Sequence, residues 1–495
     1  IDGNGLPCQR IYDFLHPLFE EILIPDTETT NLDEILDGHL HRVFHLDKEP
    51  PMRWILFRRT NAPNVMAFFH HHICVDLWSF MILMNDIEFI YSELSKINKD
   101  PIFLPQNTFT FSDFVFEQNN FLKSEAGKTF SDFWRKELED FTAFTDLPVS
   151  LARPPLRTCK KSLYHFNIDA LLLDNFQNKF TSASITPFSL FESLFHILLF
   201  RYTKQNDIAI GLPTAGRDNN YQGVYGYFSN SIIIRAKLDE NRNFQEFLAT
   251  HNETIARCLD AKDFPFPLLA DYVNDARDPS RAPLVQICMV WENINRFLNR
   301  DHHKVILGED NREIWQMGDL GEWKRHPRVQ QSDDFDLTLK IHKYKSQYYF
   351  GIEYNRDLFT PESITNFAIH FQSLMDQVTR FPDLPLGQLQ LLSSQEYQTT
   401  VIQWNATHET YEKNTLPTLV ARYADEFPQK TAIEYENQSV SYAELDQRAN
   451  QLAHYLLKRK IERESIVGVF LDRSPEVIIC LLGIMKAGAA YLPLD

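Results

Sequence analysis

No two of the six cysteines lie close together. Cys8, Cys74, Cys159, Cys258, Cys288 and Cys480 contain no CxxC pair, which argues against zinc-ribbon and dithiol redox chemistry and suits reduced thiols in the cytoplasm. Long apolar runs are also missing. A bilayer crossing needs about 18 apolar residues, and Val477–Met485 falls short of that and reads as a buried helix. No signal peptide is visible. Basic blocks are absent. Lys and Arg number 49 against 67 Asp and Glu, a net charge of −18 with the charges interspersed, so nucleic acid and anionic membrane are poor partners. There is no GxSxG elbow, GxGxxG turn or GxxxxGK[ST] loop, and these residues give no support to serine-hydrolase or nucleotide-binding chemistry.

What is present is bulk and pattern. A chain of 495 residues, 44% of them hydrophobic, has room for about three domains with sizeable cores. Residue 1 is Ile, and Ala490–Asp495 stops in mid-pattern, so a piece of a longer chain is expected. Residues 1–50 are loosely patterned. Met52–Arg58 and Val65–His70 read as strands around the Asn61–Asn64 turn. Phe80, Leu83, Met84, Ile87, Ile90, Tyr91 and Leu94 recur at helical spacing. Asp113–Leu122 and Phe130–Leu138 suggest further helices, and Pro148–Pro155 a hinge. Beyond it come strands at Leu163–Ile168, Ile208–Gly211, Ser231–Leu238 and Leu284–Trp291, then a pair at Phe335–Ile341 and Gln347–Tyr354. Thr186-Pro187 opens a helix that is nearly all apolar and therefore buried, and Pro361–Phe381 is amphipathic. After a connector at Leu384–Asn405, a third pattern begins near Leu416. It alternates strand and helix, with a capping box at Ser441-x-x-Glu444 and a C-cap at Gly488, as an α/β domain does.

The stretch most suggestive of chemistry is His70-His71-His72-Ile73-Cys74-Val75-Asp76. It sits where an apolar strand ends and a helix begins. A histidine there can take a proton from an attacking amine or steady a developing charge. It is also explained as a satisfied histidine at a strand end. Asp76 is placed to cap the helix starting at Leu77. Metal binding is not expected: adjacent histidines point to opposite faces of a strand, no HExxH or distant ligand cluster is apparent, and His39, His41 and His45 lack a recognised spacing.

The stretch resembles the HHxxxDG motif of condensation domains in nonribosomal peptide synthetases, and further matches follow in order. Phe111–Gln118 resembles YxDFxxWQ, Gly211–Arg217 the GxPxAGR turn and Gly226–Ser231 IGxFVNT. Asp263–Phe266 resembles QDYPF and Arg277–Gln286 resembles RDxSRxPLFQ. Phe335–Leu339 and Tyr354–Phe359 complete the series. Val440–Leu445 and Met485–Asp495 resemble the first two motifs of amino-acid adenylation domains.

The resemblance implies an α/β fold of two chloramphenicol-acetyltransferase-like lobes in a V arrangement, then a truncated α/β adenylate-forming domain. The implied divisions are an N-terminal lobe at 1–150, incomplete at its start, a C-terminal lobe at 151–392, a linker at 393–415 and the beginning of an adenylation domain at 416–495. The implied activity is an acyltransferase-type condensation forming an amide between a carrier-bound acyl or peptidyl thioester donor and a carrier-bound aminoacyl acceptor. The partners are upstream and downstream peptidyl carrier domains and the rest of the synthetase. The 4'-phosphopantetheine sits on those carriers rather than on this chain, and no metal is needed. The ATP site is expected to be absent, so the chain as given would not activate an amino acid. By match, His72 is the central histidine, His71 its neighbour and Asp76 the structural aspartate, whose arginine partner is Arg217, Arg277 or Arg281. Asn230 matches an asparagine near the site. Leu77 stands where the family has glycine and would narrow the approach to His72 or mark an unusual donor, and Ala261-Lys262 replace the usual histidine and glutamine. The alternatives are an epimerization domain, disfavoured by the RDxSRxPL-like segment, and a silent module that docks carriers.

Overall fold

The computed structural model describes residues 8–11, 18–25, 31–40, 42–94, 102, 104, 107–141, 144–158, 160–273, 278–293, 314–316, 322–324, 335–344 and 346–494. The chain divides into two compact units, Ile1–Tyr397 and Gln398–Asp495.

The first unit begins with a three-stranded sheet. Strand β1 (Leu18–Ile24) runs parallel to β2 (Met52–Arg59), which pairs antiparallel with β3 (Val65–His70). The stretch before β2 supplies both β1 and helix α1 (Leu32–Leu40). Its sparse hydrophobic pattern hides them because β1 has one buried residue, Ile24, and α1 one, Leu36. β2 alternates as a half-buried strand should, turning Ile55 and Phe57 inward. Helix α2 (Leu77–Leu94) follows β3, and α3 (Phe111–Lys123) and α4 (Glu125–Glu137) come next.

A mixed six-stranded sheet then forms in the order β4-β11-β10-β7-β5-β6. Its members are β4 (Lys161–Phe166), β5 (Asp207–Thr214), β6 (Asn230–Lys237), β7 (Ile287–Asn293), β10 (Leu337–Tyr344) and β11 (Gln347–Asn355). The strands β10 and β11 pair antiparallel in register Leu337↔Tyr354. A small separate pair, β8 (Ile314–Gln316) and β9 (Glu322–Lys324), lies between β7 and β10 in sequence.

Helices α5 (Ala170–Phe180), α6 (Pro187–Thr203), α7 (Phe244–Asp260) and α8 (Pro361–Arg380) complete this part of the unit. The backbone N–H of Ser189 donates to Thr186 Oγ1 at 3.1 Å, and Pro187 occupies the first turn, where its missing N–H costs nothing. Every residue of α6 from Ser189 to Phe200 is buried. Those residues are not all apolar: Glu192, Ser193 and His196 lie among the phenylalanines and leucines. The Pro148–Pro155 stretch, expected as a hinge, is tied down, since Ser150 N–H and Leu151 N–H both donate to Leu358 O and Arg153 binds Asp336 at 2.6 Å.

The second unit contains α9 (Leu416–Glu426), the hairpin β12 (Thr431–Tyr435) and β13 (Gln438–Ser441), and α10 (Tyr442–Lys458). A β–α–β crossover follows, from β14 (Ile466–Val469) through α11 (Pro475–Lys486) to β15 (Ala490–Pro493), with its two strands parallel. Glu444 N–H donates to Ser441 Oγ at 3.2 Å, while the Glu444 side chain turns to Arg448. Gly488 follows α11 at φ +80°, the left-handed position that closes a helix. Among the described residues, no helix is long and apolar enough to cross a membrane.

Candidate functional site

The three consecutive histidines have three different environments. His70 ends β3 and accepts a hydrogen bond from Trp54 Nε1–H at 2.9 Å through Nε2, and burial lowers its pKa to about 4. His71 leaves the strand. Its backbone N–H donates to Pro51 O, and its Nδ1 accepts from Ile73 N–H at 3.1 Å. His72 alone is exposed. Its Nδ1 lies 2.8 Å from Val75 O. A carbonyl oxygen can only accept, so Nδ1 carries the proton and Nε2 holds the lone pair. The Tyr227 ring meets His72 edge-on at 5.1 Å between centroids. A fixed tautomer on an exposed ring can accept a proton or a hydrogen bond from an incoming group.

Asp76 caps α2, accepting from Ser79 N–H at 2.7 Å, and it also fastens α2 to the 214–230 segment. Arg217 Nη2 donates to Asp76 Oδ1 at 3.0 Å and Oδ2 at 3.2 Å, while Phe228 N–H donates to Oδ2 at 3.0 Å. The same guanidinium bonds Ser79 Oγ at 2.6 Å and the carbonyls of Tyr221, Val224 and Gly226. It also lies 4.0 Å from the Phe228 ring centre. Burial lowers the Arg217 pKa, and Asp76 opposes that shift. The turn that delivers Arg217 requires glycine just before it: Gly216 has φ +60°, and a Cβ there would sit 1.8 Å from Phe228 O.

Of the three candidate arginines, Arg217 is the one paired with Asp76. Arg281 bonds Asp146 and Asp278, and Arg277 lies outside the described residues. Asn230 begins β6 and braces a neighbouring loop, donating to Lys262 O at 2.7 Å and Phe264 O at 2.8 Å and accepting from Phe266 N–H at 3.0 Å. Leu77 is the first residue of α2 and is 38% exposed. Its φ is not positive, so the backbone there does not require glycine. The sequence reading missed Ser79 and Tyr227. Ser79 sits three residues after a capping aspartate, a signal that locates its N–H but not its hydroxyl, which donates to Gly226 O at 2.6 Å. Nothing in the local sequence links Tyr227 to a ring 155 positions earlier.

A family model for the condensation domain matches residues 1–401, and one for AMP-binding enzymes matches residues 420–495. Gramicidin S synthase 2 of Aneurinibacillus migulanus is 26% identical over 99% of this chain, and tyrocidine synthase 3 of Brevibacillus parabrevis is 28% identical, also over 99%. The chain spans only 10% and 7% of those two proteins. A crystal structure of a four-domain nonribosomal peptide synthetase bound to AMP and glycine superimposes with a TM-score of 0.77 at 24% identity, covering 98% of this chain and 36% of that one. The mixed α/β fold is therefore shared with nonribosomal peptide synthetases, and the chain belongs to the condensation-domain family, followed in sequence by a segment of the AMP-binding enzymes.

Proposed function

We propose that residues 1–392, as two lobes meeting near residue 150, form an amide bond between a carrier-bound acyl or peptidyl thioester and the amine of a carrier-bound aminoacyl group. Residues 393–415 would serve as linker and 416–495 as part of an adenylation domain. The observation that carries this reading is the exposed His72 ring, whose Nδ1–H is committed to Val75 O at 2.8 Å. The acceptor nitrogen attacks the thioester carbonyl carbon, the C–S bond breaks, and the sulfur leaves on its phosphopantetheine arm. The amine loses one proton and the departing thiolate gains one. His72 Nε2 would receive the first and return it. General-base assistance of this kind supplies roughly 10²–10⁴-fold, and holding two tethered substrates together supplies the rest by proximity.

His71 shapes the turn through its bond to Ile73 N–H, and the Asp76–Arg217 pair holds the turn against the 221–228 loop. Asn230 and Arg281 act at a distance by fastening loops. The chemistry needs no metal at His72, and the arms that deliver both substrates belong to partner carrier domains in a reducing, cytoplasmic setting. The test is amide formation by the intact parent module with both carriers loaded, read by intact-protein mass spectrometry. Product from wild type and a loss of at least about 100-fold in His72→Ala are expected. Equal product from both would remove His72 from the chemistry.

A further inference from the structure

One polar cluster lies in the core away from His72. Glu192 and His196 stand four residues apart on one face of α6, and His251 faces them from α7. Their exposures are 0, 0 and 4%. His251 Nε2 lies 2.7 Å from Glu192 Oε2. His196 Nδ1 lies 2.9 Å from Glu192 Oε1 but without the alignment of a hydrogen bond. It points instead to the backbone carbonyl of Glu192 at 3.4 Å. Glu192 Oε1 and His196 Nε2 are therefore buried without hydrogen-bond partners. With Nδ1 turned to that carbonyl, both of these atoms offer electron pairs that a cation would satisfy.

We propose that Glu192, His196 and His251 bind one divalent transition-metal ion, with zinc(II) the best match, and that the ion ties α6 to α7. Two imidazoles and a carboxylate are the ligand types such ions prefer, and His₂Glu is an established three-residue zinc set. One candidate ligand atom from each of the three residues lies within 4.8 Å of the others. A zinc tetrahedron with bonds of about 2.0–2.1 Å has edges of about 3.4 Å, so the farthest pair needs to move inward by about 0.7 Å each. No fourth ligand joins the set among the described residues, which leaves one position for solvent. His251 also borders a cavity of about 670 Å³ whose wall carries both Glu137 and Asp140 and the cationic Lys136, Arg235 and Arg257. Sequence spacing concealed the set because His251 lies 59 positions after Glu192.

The full chain, stripped with a chelator, would be titrated with zinc(II) by calorimetry and with cobalt(II) by visible absorption. A Glu192→Leu/His196→Leu/His251→Leu variant would be run beside it. The variant leaves no buried charge unpaired and is expected to fold, which circular dichroism checks. Glu192→Gln, which keeps a hydrogen-bonding oxygen beside His251 without the buried charge, replaces it if it does not. Wild type should bind one equivalent, show the intense cobalt band of a tetrahedral site and melt at higher temperature with zinc. The triple variant should lose all three responses. His251→Leu should bind more than about 100-fold more weakly, because even outer-sphere losses cost 10–100-fold. Failure of wild type to bind stoichiometrically, or equal binding by the variants, would overturn the proposal and leave the cluster as a hydrogen-bonded knot.

Discussion

Replacing Arg217 with methionine tests the clasp that holds the histidine turn in place. The Asp76 and Arg217 side chains are only 3% and 1% exposed. The guanidinium serves both Asp76 oxygens, Ser79 Oγ and the carbonyls of Tyr221, Val224 and Gly226. Arg217→Met would leave a buried carboxylate with two backbone N–H donors, those of Ser79 and Phe228. Removing one partner of a buried pair costs about 3–5 kcal/mol, against a total domain stability of about 5–15 kcal/mol. Most of that cost is the stranded charge rather than the lost attraction. Asp76→Leu/Arg217→Met, which strands no charge, should therefore be more stable than Arg217→Met alone. Urea unfolding followed by tryptophan fluorescence is a suitable assay, because Trp78 Nε1–H donates to Gln222 O at 2.8 Å across the same junction. A cost below about 1 kcal/mol for Arg217→Met, or a double variant weaker than that single variant, would refute the reasoning.

Gly216→Ala should lower the urea midpoint by the equivalent of at least about 2 kcal/mol, since the added Cβ would sit 1.8 Å from Phe228 O. Leu77→Gly should change the melting temperature little, costing less than about 1 kcal/mol, because Leu77 is exposed and its φ is not positive. A large loss would show that the leucine packs on something essential. Thermal melts between pH 7 and pH 4 should register His70. Its folded pKa of about 4 lies below the ordinary value of 6.5, so acid protonates the unfolded chain first. The stability it contributes is present above pH 6.5 and falls toward pH 4, at up to about 1.4 kcal/mol per pH unit. His70→Phe should flatten that part of the profile.

Local signals in the sequence carried far. The helix at Thr186-Pro187 and the capping role of Asp76 are written in neighbouring residues, because caps are satisfied within three positions. The alternation in Met52–Arg58 announces β2 because one face is buried and the other is not. The β1 and α1 elements escaped for the converse reason, each burying a single residue. The arginine partner of Asp76 could not be chosen by reading, since all three candidates sit in matching motifs and only the Gly216 turn aims one of them inward. Pro148–Pro155 read as a hinge because proline and arginine resemble linker composition, yet its backbone bonds to Leu358 O are long-range.

The same contrast separates the two histidine clusters. His70–His72 stand out because they are consecutive, and their differing environments follow from a strand ending within them: pairing buries the first, the turn uses the second, and the third is left facing solvent. Glu192 and His196 stand inside a helix that hydrophobic pattern alone assigns to the core, and pattern does not say that a charge placed there needs a counter-charge. That requirement appears only when α7 brings His251 to 2.7 Å from the carboxylate. An unaccompanied carboxylate at that depth would be costly enough to neutralise itself. The cluster therefore ties α6 to α7 more specifically than apolar contact does, because the carboxylate on one helix is met by an imidazole from the other.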